Sequence, residues 1–227
     1  MKKILVVAAH PDDEILGCGG TMAKLANKGN EIFTLILGEG VTSRDDKRDP
    51  ANQKNNILKL QDQLHKANKT VKVKKVFTHS FPDNRFDTVA LLDIVKVIEK
   101  VKKEIDPDII FTHHDKDLNV DHQITYKAVI TAARPLPGET VKEIYAFETL
   151  SSTEWGYPTK FSPDTFFDIS DTVELKIKAL GYYVSELRDF PHPRSLEGIE
   201  LSSKVWGMKV GVECAEAFEC VRRLVNQ

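Results

Sequence analysis

The stretch KILVVAAHPDDEILGCGGTMAKLANKGNEIFTLILG, residues 3–38, decides how this chain is built. Residues 3–8 form a continuous apolar run with β-branched members, the pattern of a strand covered on both faces. Over 14–28 the apolar residues Ile15, Leu16, Met22 and Leu25 recur at near-helical spacing, and Gly29 supplies a C-terminal stop. Residues 31–37 read as a second strand. Strand, helix and strand in this order make a βαβ unit, whose parallel strands require a right-handed crossover.

The alternation continues outward, with helix 52–67, strand 71–78, helix 90–105, strand 108–112, helix 123–133 and strand 143–148. The expected fold is α/β: a doubly wound, mostly parallel, Rossmann-like sheet with helices on both faces. Residues 150–227 are expected as a C-terminal α/β extension on the same core. It comprises an aromatic, proline-containing loop at 151–163, a strand at 165–169, and helices at 172–188 and 199–210. No Gly/Ser linker or charge run divides the chain, so 1–227 reads as one domain, 1–149 being the Rossmann-like core and 150–227 a cover over its crevice. GEGVTSRDDKRDP, 38–50, is the most polar loop and is expected to form a mobile rim.

Composition narrows the class. The chain has 227 residues, 41% hydrophobic, which excludes disordered and collagen-like sequence. Thirty-two basic and 34 acidic residues leave a net charge of -2, so no basic field suggests nucleic acid. Three cysteines, odd in number and without CxxC spacing, argue against a disulfide framework or a cysteine zinc site and fit a reducing cytosol. The apolar run 4–9 has six residues, fewer than the roughly 7–15 of a secretory signal. No run approaches the roughly 18 apolar residues of a membrane span. A soluble cytoplasmic protein is expected, with homo-oligomerisation left open.

Two clusters carry chemistry. AHPDDE, 9–14, follows the first strand directly, at the carboxyl end where open α/β sheets bind ligands. His10 and Asp13 are three apart and face the same way in a helical turn, a spacing suited to gripping one metal, while Asp12 projects elsewhere. Capping and the helix dipole explain acids at a helix start but give no reason for His10. The second cluster, HHDKDLNVDH, 113–122, follows the fourth strand and holds three His, three Asp and one Asn. The strands carrying the two clusters flank the switch-point crevice of a doubly wound sheet, so both clusters converge there. A His/Asp pair from one and a His from the other make a two-His, one-carboxylate site suited to zinc or non-haem iron(II).

AHPDDE followed by GCGGTMAKL, with the later D-x-N-x-D-H, resembles the LmbE-like (PIG-L) zinc-dependent de-N-acetylases, and PDNRFD (82–87) and the AEAF ending share the likeness. The resemblance implies His10, Asp13 and His122 as zinc ligands, Asp12 as general base, and an N-acetylated sugar or sugar conjugate as substrate. Many relatives carry H-P-D-H where this chain has Asn119-Val120-Asp121-His122. The first His of that motif, implied to stabilise the oxyanion, is Asn119 here, which can donate a hydrogen bond but not a proton. His192, in FPHPRS, is the first substitute as acid, with His113 and His114 behind it. The N-x-D-H form resembles a bacterial branch associated with surface-sugar genes.

Other residues have weaker claims. Glu14 and Asp121 are placed to orient ligands. Asp83 and Arg85 of PDNRFD, and Arg194 of FPHPRS, are candidates for substrate hydroxyls, phosphate or carboxylate. GCGG, 17–20, lacks dinucleotide-binding spacing, and close helix–sheet packing explains it better. Two other functions compete: a metal-binding, non-catalytic sugar-binding protein on the same fold, and a receiver-like module with Asp83 as phospho-acceptor and Lys142 beside it.

Overall fold

The structure is a computed structural model describing residues 1–44 and 48–225; positions 45–47 of the polar loop lie outside the described residues. Its strands are β1 (Lys3–Ala8), β2 (Glu31–Gly38), β3 (Lys75–Phe81), β4 (Ile109–His113), β5 (Glu143–Phe147), β6 (Thr165–Asp168) and β7 (Ala215–Arg223). The helices are α1 (Asp13–Asn27), α2 (Lys54–Thr70), α3 (Leu91–Ile105), α4 (Val120–Ala132), α5 (Val173–Leu180) and α6 (Leu196–Val210). The strands form one sheet of order β3-β2-β1-β4-β5-β7-β6. β1 to β5 are mutually parallel, while β7 runs antiparallel to both β5 and β6.

β1 shows why its sequence is continuously apolar. Ile4, Val6 and Ala8 enter the core shared with α1 and α2, whereas Leu5, Val7 and Ala9 enter the opposite core shared with α3 and α4. Alternate side chains thus feed two cores, so no position is left for a polar residue. Strand order reverses between β1 and β4, leaving the crevice expected of a doubly wound sheet beyond their carboxyl ends.

α1 is broken at Cys18 (φ −148°, ψ 24°) inside GCGG. The glycines there serve close packing: a Cβ on Gly17 would fall 2.2 Å from Phe147 Cδ2, and one on Gly20 2.8 Å from Ile169 Cδ1. The break frees backbone donors, and β7 supplies their acceptor. Buried Glu216 accepts from Gly20 N–H (3.0 Å) and Thr21 N–H (2.7 Å), while Lys176 of α5 donates to Glu216 (2.6 Å) and to Leu16 O (2.8 Å).

Several expected elements change. The helix expected at 172–188 stops at Leu180, because the Tyr183 side chain turns inward and its hydroxyl donates to buried Glu14 Oε1 (2.6 Å). The strand expected at 71–78 begins at Lys75, since α2 runs on to Thr70 and buries Val71 at its end. The extension contributes β7 as well as β6, and β7 inserts between β5 and β6.

Candidate metal centre and active-site cleft

The chain leaving β1 turns sharply at His10-Pro11-Asp12. Asp12 has φ 108°, a conformation that costs a non-glycine residue about 1–3 kcal/mol and persists where surrounding contacts impose it. Those contacts are visible: Asp12 N–H donates to Glu14 Oε2 (3.0 Å), and Asp12 O accepts from Ile15 N–H (3.0 Å) and Leu16 N–H (2.9 Å). The Asp12 side chain makes no capping hydrogen bond to the helix it begins. It lines a polar cleft of about 220 Å³ instead.

Glu14 is completely buried; besides Asp12 N–H it accepts from Asn68 Nδ2 (2.9 Å) and Tyr183 Oη (2.6 Å). Burial pushes its carboxyl up to about 7 against these donors. Glu14 therefore braces the turn carrying Asp12 without itself lining the cleft.

His10, Asp13 and His122 place one ligand atom each within 4.8 Å of one another. Asp13 Oδ2 lies 3.5 Å from His10 Nδ1 and 3.3 Å from His122 Nε2, while buried Asp13 Oδ1 has no hydrogen-bond partner. Each histidine faces a carboxylate on its far side. His10 Nε2 donates to Asp121 Oδ2 (2.9 Å), whose Oδ1 accepts from Phe86 N–H (2.9 Å). His122 Nδ1 lies 3.0 Å from Asp117 Oδ1. Carboxylates behind ligating imidazoles fix the ring and raise its basicity.

Asp121, singled out in the sequence, stands behind His10, and Asp117, which sequence reasoning passed over, stands behind His122. The signal for Asp117 was the first Asp of D-x-N-x-D-H. Asp117 is anchored by the Ser152 and Thr153 hydroxyls and by Asn119 N–H (2.8 Å).

The charges support a cation. Burial pulls His10 and His122 down, but neighbouring carboxylates outweigh it, raising His10 well above its usual value and His122 to about 9. Asp13 is held well below the usual carboxylate range because His122 and His10 outweigh burial. Two imidazoles facing one buried carboxylate, one of whose oxygens lacks a donor, fit a divalent ion that would displace the imidazole protons.

The remaining candidates separate. Asp12 Oδ2 accepts from Arg194 Nη1 (3.0 Å), and Arg194 Nε donates to Leu150 O (3.3 Å). Burial raises the Asp12 carboxyl well above its usual value, with Arg194 opposing. Asn119 caps α4, its Oδ1 accepting from Asp121 N–H (2.8 Å) and its Nδ2 donating to Asn84 Oδ1 (2.8 Å), and it lines the cleft. Asp83 also lines it, 3.2 Å from His10 Nε2, and accepts from Ser43 Oγ (2.6 Å).

Arg85 is exposed and His192 half-buried, and neither is among the residues lining the cleft. The His192 ring sits edge-on to Trp155, its Nδ1 accepting from Arg194 N–H (3.1 Å). The reserve acids are engaged elsewhere. His113 Nε2 accepts from Ala9 N–H (2.9 Å), which puts its proton on Nδ1 toward Thr149 (3.1 Å), and burial drives it down to about 3. His114 Nδ1 faces Glu219 at 2.8 Å.

The family model for GlcNAc-PI de-N-acetylase (PIG-L) matches residues 5–133, which contain both histidine clusters. An uncharacterized deacetylase of Escherichia coli (strain K12) is 30% identical over 190 residues, covering 81% of this chain and 91% of the relative. A diacetylchitobiose deacetylase of Thermococcus kodakarensis is 27% identical over 197 residues, covering 82% of this chain and 70% of the relative. Among solved structures, the N,N'-diacetylchitobiose deacetylase of Pyrococcus horikoshii superposes with a TM-score of 0.78 at 22% identity, covering 97% of this chain and 84% of the other. At that identity the superposition speaks for the fold, while the family match and the Escherichia coli relative speak for descent. The chain belongs to the PIG-L (LmbE-like) family.

Proposed function

We propose that this protein is a metal-dependent N-deacetylase, using zinc with iron(II) as the alternative, that releases acetate from an N-acetylated amino sugar or its conjugate. One observation carries the reading: Asp12, a buried carboxylate in an imposed conformation, lines the cleft beside the His10–Asp13–His122 group instead of capping its helix. The deacetylase relatives support the reaction class, and the diacetylchitobiose enzyme supports an amino-sugar substrate.

His10, Asp13 and His122 would hold the ion. Zinc there supplies a Lewis acid that acidifies water and polarises the acetyl carbonyl. Asp12 accepts the proton of the attacking water through the oxygen that Arg194 does not hold. Its burial-raised carboxyl retains that proton long enough to return it to the departing amine. Asn119 has two amide N–H groups; one is on Asn84, and the other donates to the oxygen that becomes negative. This scheme assigns the acid role to Asp12, since His192, His113 and His114 are not among the cleft-lining residues.

Asp12→Asn tests it. The variant should keep about one metal per chain by elemental analysis, while acetate release from N-acetylated sugars falls by about 10²–10⁴-fold, the usual contribution of a general base. Parent-like turnover by the variant would overturn the mechanism.

A further inference from the structure

The Asn119 side chain is held at both ends, by different parts of the chain. Its Oδ1 accepts from Asp121 N–H (2.8 Å), a backbone donor that settles which way round the amide lies. Its Nδ2 therefore points away from α4 and donates to Asn84 Oδ1 (2.8 Å). With that oxygen accepting, Asn84 Nδ2 donates to Ser43 Oγ (3.0 Å), and Ser43 Oγ donates to Asp83 Oδ2 (2.6 Å). Asp83 Oδ1 closes the path, 3.2 Å from His10 Nε2. The donors in the row Asn119–Asn84–Ser43–Asp83 all point one way, from the cap of α4 to a buried carboxylate, so the bonds polarise one another. All of these residues line the cleft.

Asn84 is the link between the two walls. It lies between β3 and α3 with φ 52°, a left-handed conformation that asparagine adopts more readily than most residues with a Cβ. It is exposed, so packing does not explain the residue type, and glycine would serve the backbone as well. What only the asparagine side chain adds is an oxygen for Asn119 and a nitrogen for Ser43. Asn119 needs that oxygen. The last torsion of an asparagine side chain is soft, and a bond at Oδ1 alone leaves the amide free to pivot about it. The second bond, at Nδ2, stops the pivot and leaves one N–H in a fixed direction.

We propose that Asn84 is a positioning residue for the hydrolysis: it fixes the amide plane of Asn119, so that the remaining N–H is held at the oxygen that becomes negative. The assignment rests on the deacetylase reading above and extends it to a residue outside the metal-holding group.

Asn84→Gly removes the side chain and keeps the left-handed turn. In the zinc-loaded protein, with N-acetylglucosamine and N,N'-diacetylchitobiose as probes, kcat should fall about 10–100-fold while KM stays within about twofold, as for a misplaced transition-state donor. In an Asn119→Ala background the same substitution should change kcat by less than about twofold, because the group it positions is gone. Nitrogen-15 NMR reads the contact without turnover. The side-chain amide signal of Asn119, identified by its loss in Asn119→Ala, should move in Asn84→Gly towards that of an exposed asparagine, while that of buried Asn68 stays in place. Parent-like kcat, a rise in KM alone, equal losses in the two backgrounds, or an unmoved Asn119 signal overturns the proposal. If the parent itself releases no acetate from either probe, the deacetylase reading falls instead, and the Asn119 signal alone decides whether Asn84 holds that amide.

Discussion

Lys176 and Glu216, an ion pair within the C-terminal extension, together hold the break in the helix that carries Asp13, and Lys176→Met is the sharpest probe of that brace. Both residues are 4% exposed, and their charged atoms are 2.6 Å apart. Glu216 also holds the two N–H groups freed where α1 breaks, and Lys176 holds Leu16 O on the other side of the break. Methionine retains the length of the stem but removes the charge, leaving a buried carboxylate with two neutral donors. Breaking a buried pair from one side typically costs about 3–5 kcal/mol. For a chain of this size 1 kcal/mol corresponds to about 2–4 °C in Tm, so a fall of roughly 6–20 °C is expected by scanning calorimetry. Denaturant midpoints should fall without a change in slope. The double variant Lys176→Met/Glu216→Gln removes both charges and should be more stable than Lys176→Met alone, although one α1 N–H loses its acceptor. If Lys176→Met stays within about 1 kcal/mol of the parent, or the two substitutions simply add, the pair does not brace the break in α1.

Further outcomes follow from three other residues. Arg194→Met removes the cation that opposes burial at Asp12, so the acid limb of kcat/KM should move to higher pH with metal content retained; a pH-independent loss would mean that Arg194 binds substrate instead. Asp117→Asn should weaken metal affinity about 10–100-fold in chelator competition, as for other groups that orient ligating histidines. Burial pushes the Asp117 carboxyl up, but His122 and the Ser152 and Thr153 hydroxyls bring it to about 2, against 3.8 ordinarily. Its stabilising contribution to the metal-free parent is therefore present above about pH 4 and lost as pH falls towards 2, a step that Asp117→Asn should lack in acid titrations followed by circular dichroism. Gly17→Ala places a methyl group inside the Phe147 ring and should cost about 1–3 kcal/mol or more; a Tm within 2 °C of the parent would show that the ring yields freely.

Much of this arrangement is legible in the chain because it is local. The two-sided burial of β1 is written in consecutive apolar residues, and the His10/Asp13 spacing in a single turn. Convergence of 10–14 with 113–122 follows from the parallel order of the sheet, which the alternation of strand and helix already demands. β7 was missed because AEAFECVRR states neither its partners nor its direction; Glu216, reaching across to Gly20 and Thr21, is a contact nearly 200 residues long. The overlong helix at 172–188 has the same origin, since only the buried Tyr183–Glu14 contact turns the chain away.

Residue type and spacing by themselves determined the α/β class and the convergence of the two histidine-containing clusters on one crevice. The tertiary structure decided which of several identical groups faces which partner. His113, His114, His122 and His192 have the same imidazole, yet only His122 has one nitrogen toward Asp13 and the other toward a carboxylate. Arg188 and Arg194 have the same guanidinium and both line the cleft, yet among the described residues only Arg194 faces a carboxylate of the protein. Those differences arise from burial and from hydrogen bonds made across the sheet, and no short window of sequence contains them.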